Sequence, residues 1–158
     1  MYEKLKEQVW NALKEHPMHR YSVWSHFFGV AMLCGFLGLK RGLDIEVCKC
    51  AGLLHDLWLF INFPLDKDMH REHGYNGSDF AKGILNENGG YSEKQIEIIC
   101  RMIYNHNDKD LIHDEYSETL KDADSLEHYL NNSGYDKNYN YHRRDKKILD
   151  EFMISRDT

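Results

Sequence analysis

The chain of 158 residues holds ten histidines, and several of them fall where helical segments turn inward or end. His26 precedes Val30 by four residues and Leu33 by seven, which puts it on the apolar stripe of its segment. His55 and Asp56 directly follow the apolar run AGLL. His73 opens a helical stretch after a charged loop. His106 comes seven residues after Ile99 and three after Ile103, again on the apolar face. Asp124 comes four residues after Leu120 within KDADSLEHY. Burying such groups unpaired would cost roughly several kcal/mol each, and more if charged. A shared cation removes that cost, because imidazole nitrogens and carboxylate oxygens are good ligands for divalent transition metals. Facing helices of a bundle commonly build such sites.

The elements that must carry these residues follow from the helical period of the apolar positions. Leu5, Val9 and Leu13 form one stripe over residues 2–15, closed by Pro17. Val23, Phe27, Val30, Leu33, Phe36 and Leu37 mark a helix over 20–41 that stops at Gly42. Asp44 is placed to cap the next helix, with Val47, Cys50, Ala51 and Leu54. After a break at 62–64 and a charged loop, a fourth helix begins near Glu72 and ends at the Asn-Gly-Gly turn of 88–90. Ser92 and Gln95 form a capping box for the fifth, which carries Ile96, Ile99, Cys100 and Ile103. A sixth covers 115–130, and a last one lies near 142–154 after an Asn/Tyr-rich connector. No alternating apolar run reads as a strand. The expected fold is all-α, a bundle of about seven helices in a single domain over 1–158. Its motif-bearing core is about 19–130, followed by a connector and helix over 131–158.

Composition narrows the classes. The length fits one domain with its own core. A formal net charge of −6 does not suggest a protein that grips a nucleic-acid backbone. Cys34, Cys48, Cys50 and Cys100 form no CxxC pair and read as reduced core thiols. The charged N-terminus lacks a signal-peptide run, and every long apolar stretch is interrupted, so a cytoplasmic protein is expected.

The order His26, His55-Asp56, Asp124 resembles the HD-domain superfamily of metal-dependent phosphohydrolases. The contexts SHFFGVAMLCGFLG, AGLLHDL and KDADSLE are similar to that family's three motif helices. His73-Gly74 with Gly77, and His106 closing IICRMIYNH, resemble the added ligands of its two-metal subset. That subset includes bacterial hydrolases of dinucleoside tetraphosphates. The resemblance implies that His26, His55, Asp56 and Asp124 bind one divalent metal, and His73 and His106 a second, with Asp56 as the bridge. Iron comes first among the suitable ions, with manganese, cobalt, nickel and zinc behind it. The implied activity is cleavage of a phosphoester or phosphoanhydride of a small nucleotide or dinucleotide by metal-activated water. Asp56 and Asp124 are then the catalytic carboxylates, and Arg20, Lys67 and Arg71 the groups that meet substrate phosphate. No nucleic-acid polymer and no membrane are expected as partners, and a homodimer is open.

The likeness has departures. Many relatives follow His-Asp with a basic pair, whereas this chain reads HDLWLF. The GYP signature and paired histidines of the cyclic-dinucleotide enzymes are absent. Two other functions share the ligand order: a di-iron oxygenase of the same superfamily, and a nucleotide-binding regulator without turnover. Ordinary structural roles stand beside each assignment. His26 has the reading of a core histidine bonded to a carbonyl, and Asp124 that of a solvated neighbour of Asp122. His70 competes with His73 as a ligand, and His128 is placed to support Asp124 from four residues on. His16, His19, His113 and His142 read as surface or cap residues. Trp10, Trp24 and Trp58 read as core packing rather than a base-stacking platform.

Overall fold

The structure, a computed structural model, describes residues 1–15, 20–64, 72–132 and 142–152; the side chains of Glu15, Arg20, Asn132, His142 and Arg143 are outside that description. The helices are α1 (Tyr2–Ala12), α2 (Arg20–Lys40), α3 (Ile45–Leu54), α4 (Leu57–Ile61), α5 (His73–Asn88), α6 (Glu93–Asn105), α7 (Glu115–Asn132) and α8 (His142–Glu151). A 3₁₀ turn over Leu13–Glu15 extends α1. No strand occurs among the described residues. The all-α expectation holds, and the addition is α4, a five-residue helix directly after the His-Asp pair.

Local chemistry sets the ends. Asp44 accepts hydrogen bonds from the amides of Glu46 and Val47 and so opens α3. Ser92 and Gln95 complete the capping box of α6. Gly42 reverses the chain between α2 and α3 at φ 71°.

α2 is the central element and packs against α3 and α7. Its residues Tyr21–Lys40 are long and apolar enough to cross a membrane by length and composition. Here Phe27, Val30, Ala31, Cys34 and Leu37 are buried in the core. Leu5, Val9 and Leu13 of the first segment, Leu53 and Leu54 of α3, and Ile99 and Ile103 of α6 join them. Each such side chain contributes about 1.5–3 kcal/mol on burial. Cys34, Cys48 and Cys50 are buried free thiols and Cys100 is half-buried, as composition indicated.

Gly52 decides how closely α2 and α3 approach. A Cβ there would stand 2.7 Å from the Ala31 Cα and 2.9 Å from the Val30 carbonyl oxygen, both rigid backbone. Gly52→Ala is expected to cost about 1–3 kcal/mol through overpacking. A urea midpoint unchanged from that of the parent chain would refute the close approach.

A buried charge network ties α2, α7 and α8 together. Asp122 is fully buried, accepting from Arg41 Nη2 at 2.8 Å and Arg144 Nη1 at 2.9 Å. Arg41 also pairs with Glu151, at 2.7 Å. Lys121 is also fully buried; its Nζ contacts Leu111 O, His113 Nδ1 and Glu118 Oε1. His113 is thus part of the network rather than a free surface residue. Burial pushes the Glu118 carboxyl up, but hydrogen bonds from Lys121, the His113 amide and Arg144 outweigh it and hold its pKa near about 2, against an ordinary 4.5. A depressed carboxyl stabilises fully above its unfolded value and loses that contribution as pH falls through the folded one. Glu118→Gln is therefore expected to flatten the loss of stability between about pH 4.5 and 2, read from chemical denaturation at stepped pH.

Candidate metal centre

Five helices deliver the candidate ligands to one place. α2 carries His26 in its second turn, and α3 ends at His55, followed by Asp56 before α4. His73 is the first residue of α5, His106 caps the end of α6, and Asp124 lies midway along α7. Gly74 permits the meeting of α5 with α6, since a Cβ there would stand 2.7 Å from the Tyr104 carbonyl oxygen. His55, His73, His106 and Asp124 are buried, and His26 and Asp56 are nearly so.

The outer ring nitrogens are engaged. His55 Nδ1 donates to Gly52 O at 2.8 Å, and His106 Nδ1 donates to Ile103 O at 2.5 Å. His26 Nδ1 bonds Glu127 Oε2 at 2.6 Å. A carbonyl or carboxylate can only accept, so these contacts fix the proton on Nδ1 and leave Nε2 facing inward.

Asp56 divides the inward atoms into two groups. Its Oδ2 lies 3.4 Å from His55 Nε2 and 4.0 Å from His26 Nε2. Its Oδ1 lies 3.3 Å from His73 Nε2 and 3.2 Å from His106 Nε2. Asp124 Oδ1 closes the first group, 3.8 Å from His26 Nε2 and 3.7 Å from His55 Nε2. His26, His55 and Asp56 can hold one ion, and Asp56, His73 and His106 another.

Two observations test whether cations fit. Among the described residues, His55 Nε2 and Asp124 Oδ1 are buried and have no hydrogen-bond partner. Orphaned buried polar atoms are costly, and both are good ligands. Second, His73 Nε2 and His106 Nε2 stand 3.1 Å apart, both beside a carboxylate oxygen. An imidazole lone pair turned toward a carboxylate calls for positive charge between them. The donor set fits first-row divalent ions.

The electrostatics agree. Burial pushes Asp56 up, but His55, His106 and His73 outweigh it and hold the carboxyl well below the ordinary range. Burial likewise opposes ionisation of Asp124, and Lys109 with His55 overcomes it. Burial lowers His55, yet Asp56 and Asp124 raise its pKa to about 9. At His106 burial outweighs Asp56 and pushes the pKa down, so His55 is the histidine that holds a proton in the absence of another cation and would release it on metal uptake.

All six ligand candidates therefore converge. The side chain of Arg20 and residues Lys67, Arg71 and His70 lie outside the described residues. His128 lies 3.5 Å from Asp124 Oδ1, at the half-exposed edge. Two contributors escaped sequence reasoning. Glu127 orients His26 and is gripped in turn by Asn131; its signal is its position three residues after Asp124, on the same helix face. Lys109 Nζ bonds Asp124 Oδ2 at 2.5 Å. Glu127→Ala is expected to weaken divalent metal binding about 10–100-fold, the usual cost of an outer partner of a ligating histidine. Titration calorimetry showing parental affinity would refute the role.

Comparison with known proteins supports the arrangement. The HD-domain family profile matches residues 23–129, a span that contains all six candidates. Ribonuclease Y of Desulfotalea psychrophila is 34% identical over 70 residues, covering 44% of this chain and 13% of that protein. Ribonuclease Y of Petrotoga mobilis is 31% identical over 98 residues, covering 62% of this chain and 17% of that protein. Ribonuclease Y of Oleidesulfovibrio alaskensis is 37% identical over 70 residues, covering 44% and 13% respectively. The chain thus matches less than a fifth of the length of these relatives. No solved structure matches it. These relatives are ribonucleases by name rather than the expected dinucleoside tetraphosphate hydrolases. The expectation that no nucleic-acid polymer is a partner is overturned by the same matches; net charge was a poor guide, because bound cations can invert the sign of a site. With the family profile spanning more than half of its length, the chain belongs to the HD-domain family.

Proposed function

We propose that the chain hydrolyses RNA phosphodiester bonds at a two-metal centre. The observation that carries this reading is the split of Asp56, with Oδ2 toward His26 and His55 and Oδ1 toward His73 and His106. His26, His55, Asp56 and Asp124 would hold one divalent ion, and Asp56, His73 and His106 the other. Such ions supply an activated water nucleophile near neutral pH and neutralise charge on the phosphoryl oxygens. The protein residues supply preorganisation. The Gly52 and Ile103 carbonyls and the Glu127 carboxylate keep protons on the outer nitrogens, so the inner lone pairs need no rearrangement. Lys109 holds Asp124 ionised and fixes which oxygen faces inward.

RNA is the substrate class on the strength of the relatives' name. The likeness of His73-Gly74 and His106 to the two-metal subset, which includes hydrolases of dinucleoside tetraphosphates, favours a second reading, with a small nucleotide or dinucleotide as substrate. Iron is the first ion to supply, followed by manganese and cobalt. The test incubates the metal-loaded chain with a labelled short oligoribonucleotide and, separately, a nucleotide and dinucleotide panel. Shortened RNA supports the first reading, and turnover of the panel alone the second. No turnover with any ion, or oxygen consumption by the iron-loaded protein in place of hydrolysis, would overturn both.

A further inference from the structure

Between Arg20 and Lys40 the sequence holds no acidic or basic residue other than His26. One face of this run is buried in the core. The opposite face is open: Tyr21, Phe28, Met32, Phe36 and Leu39 are between 37% and 77% exposed. Their spacing of seven, four, four and three residues sets them in one row along α2. At 1.5 Å per residue the row is about 27 Å long. Trp24 stacks on Phe28 with centroids 6.1 Å apart, and Phe152 stacks on Phe36 at 5.2 Å, so flat rings flank the row. Lys40 Nζ lies 4.9 Å over the Phe152 ring and Lys6 Nζ 5.8 Å over that of Phe28, so charge borders the row without interrupting it.

A helix that is apolar all round belongs inside a protein. Large side chains carry about 150–250 Å² each, so at these exposures the five present on the order of 500 Å². That is the size of the patch that commonly marks a contact site, and it supplies more than half of the roughly 800 Å² that each partner gives to a stable interface. The occupant must be uncharged over the same length. Among the described residues no other helix exposes such a row, whereas α2 of a second copy matches it. A two-fold axis at Met32 makes the α2 helices antiparallel, and Phe28 then meets Phe36 of the second copy. Lys40 falls opposite Trp24 of the second copy, a ring face that favours a cation, and the two Lys40 groups stand about 24 Å apart along the helices. A parallel pairing would set Lys40 against Lys40.

We propose that the open face of α2 is the interface of a two-fold symmetric homodimer of this chain. His26 leaves the same helix toward Glu127 and His55, so the contact does not draw on the metal centre.

Sedimentation velocity of the full chain tests this. A 18.8 kDa monomer should give way to a species of twice that mass as concentration rises, over roughly 1–200 μM for a contact of this size. Met32→Lys sets two ammonium groups on the axis and is expected to weaken the dimer about 100-fold or more. Met32 is exposed, so helicity and the melting temperature of the monomer should hold. Ile112→Lys, which alters an exposed apolar residue elsewhere, should leave the dimer intact. Met32→Cys should cross-link to its own copy on mild oxidation, above the background of the parent chain. Tyr21→Cys should not, because the axis leaves that pair about 33 Å apart. A monomer at every concentration, an undiminished dimer in Met32→Lys, or cross-linking of Tyr21→Cys with Met32→Cys inert would overturn the proposal. Flotation of a monomeric parent chain, but not of Met32→Lys, with phosphatidylcholine vesicles would assign the face to lipid and overturn it equally.

Discussion

Asp56→Ala is expected to empty both metal positions and to abolish hydrolysis. Among the described residues, Asp56 is the one carboxylate within 4 Å of all four inward imidazole nitrogens, by 3.4 and 4.0 Å on Oδ2 and 3.3 and 3.2 Å on Oδ1. Removing it takes a ligand from each group at once and places four imidazoles around a site without its central negative charge. Loss of an outer partner alone costs about 10–100-fold in affinity, so loss of a shared ligand should exceed that range. Folding should survive. The Asp56 side chain is still 16% exposed, and the helices around it are held by α2–α3 and α5–α6 packing that it does not touch. Elemental analysis per folded chain, with circular dichroism as the control, reads the outcome. Two ions per chain in Asp56→Ala would end the shared-ligand reading. Asp56→Asn sharpens the test, because it keeps the shape and removes the charge.

Most of this centre was legible because its residues sit at positions that sequence marks plainly. His26 and His106 lie on apolar stripes, and His55, His73 and His106 lie at helix ends bounded by recognisable caps and breaks. The capping box at Ser92–Gln95 and the Asp44 cap were readable for the same reason, since each is a local pattern of a few residues. The residues that escaped are those whose roles depend on long-range meetings. Glu127 matters through His26, 101 residues away in sequence, and Lys109 through a turn whose path is set by Arg144. Asp122 illustrates the limit most clearly. An aspartate within a charged helical run reads as solvated, and only the arrival of Arg41 from α2 and Arg144 from α8 makes burial tolerable. Function was less legible than geometry. On the proposed reading, the order of the candidate ligands points to a phosphoryl centre and carries no information on the length of the strand attached to it.

Asp122→Ala is expected to be the most destabilising single change outside the metal centre, at about 3–5 kcal/mol. The aspartate is fully buried and pairs with two guanidinium groups on opposite oxygens. Deleting it leaves the like charges of Arg41 and Arg144, both mostly buried, without their shared acceptor. Arg41 retains Glu151 and Thr119, and Arg144 retains Glu118 and the Lys109 carbonyl, so the network frays rather than vanishing. For a chain of this length the loss should lower the melting temperature by roughly 10 °C. Because α8 is fastened through this aspartate, the loss should begin with release of α8, visible as faster amide exchange in residues 142–151 than in α3 or α6. A loss under about 1 kcal/mol, typical of an exposed ion pair, would show that the network is solvated and that α8 is held by its apolar face alone.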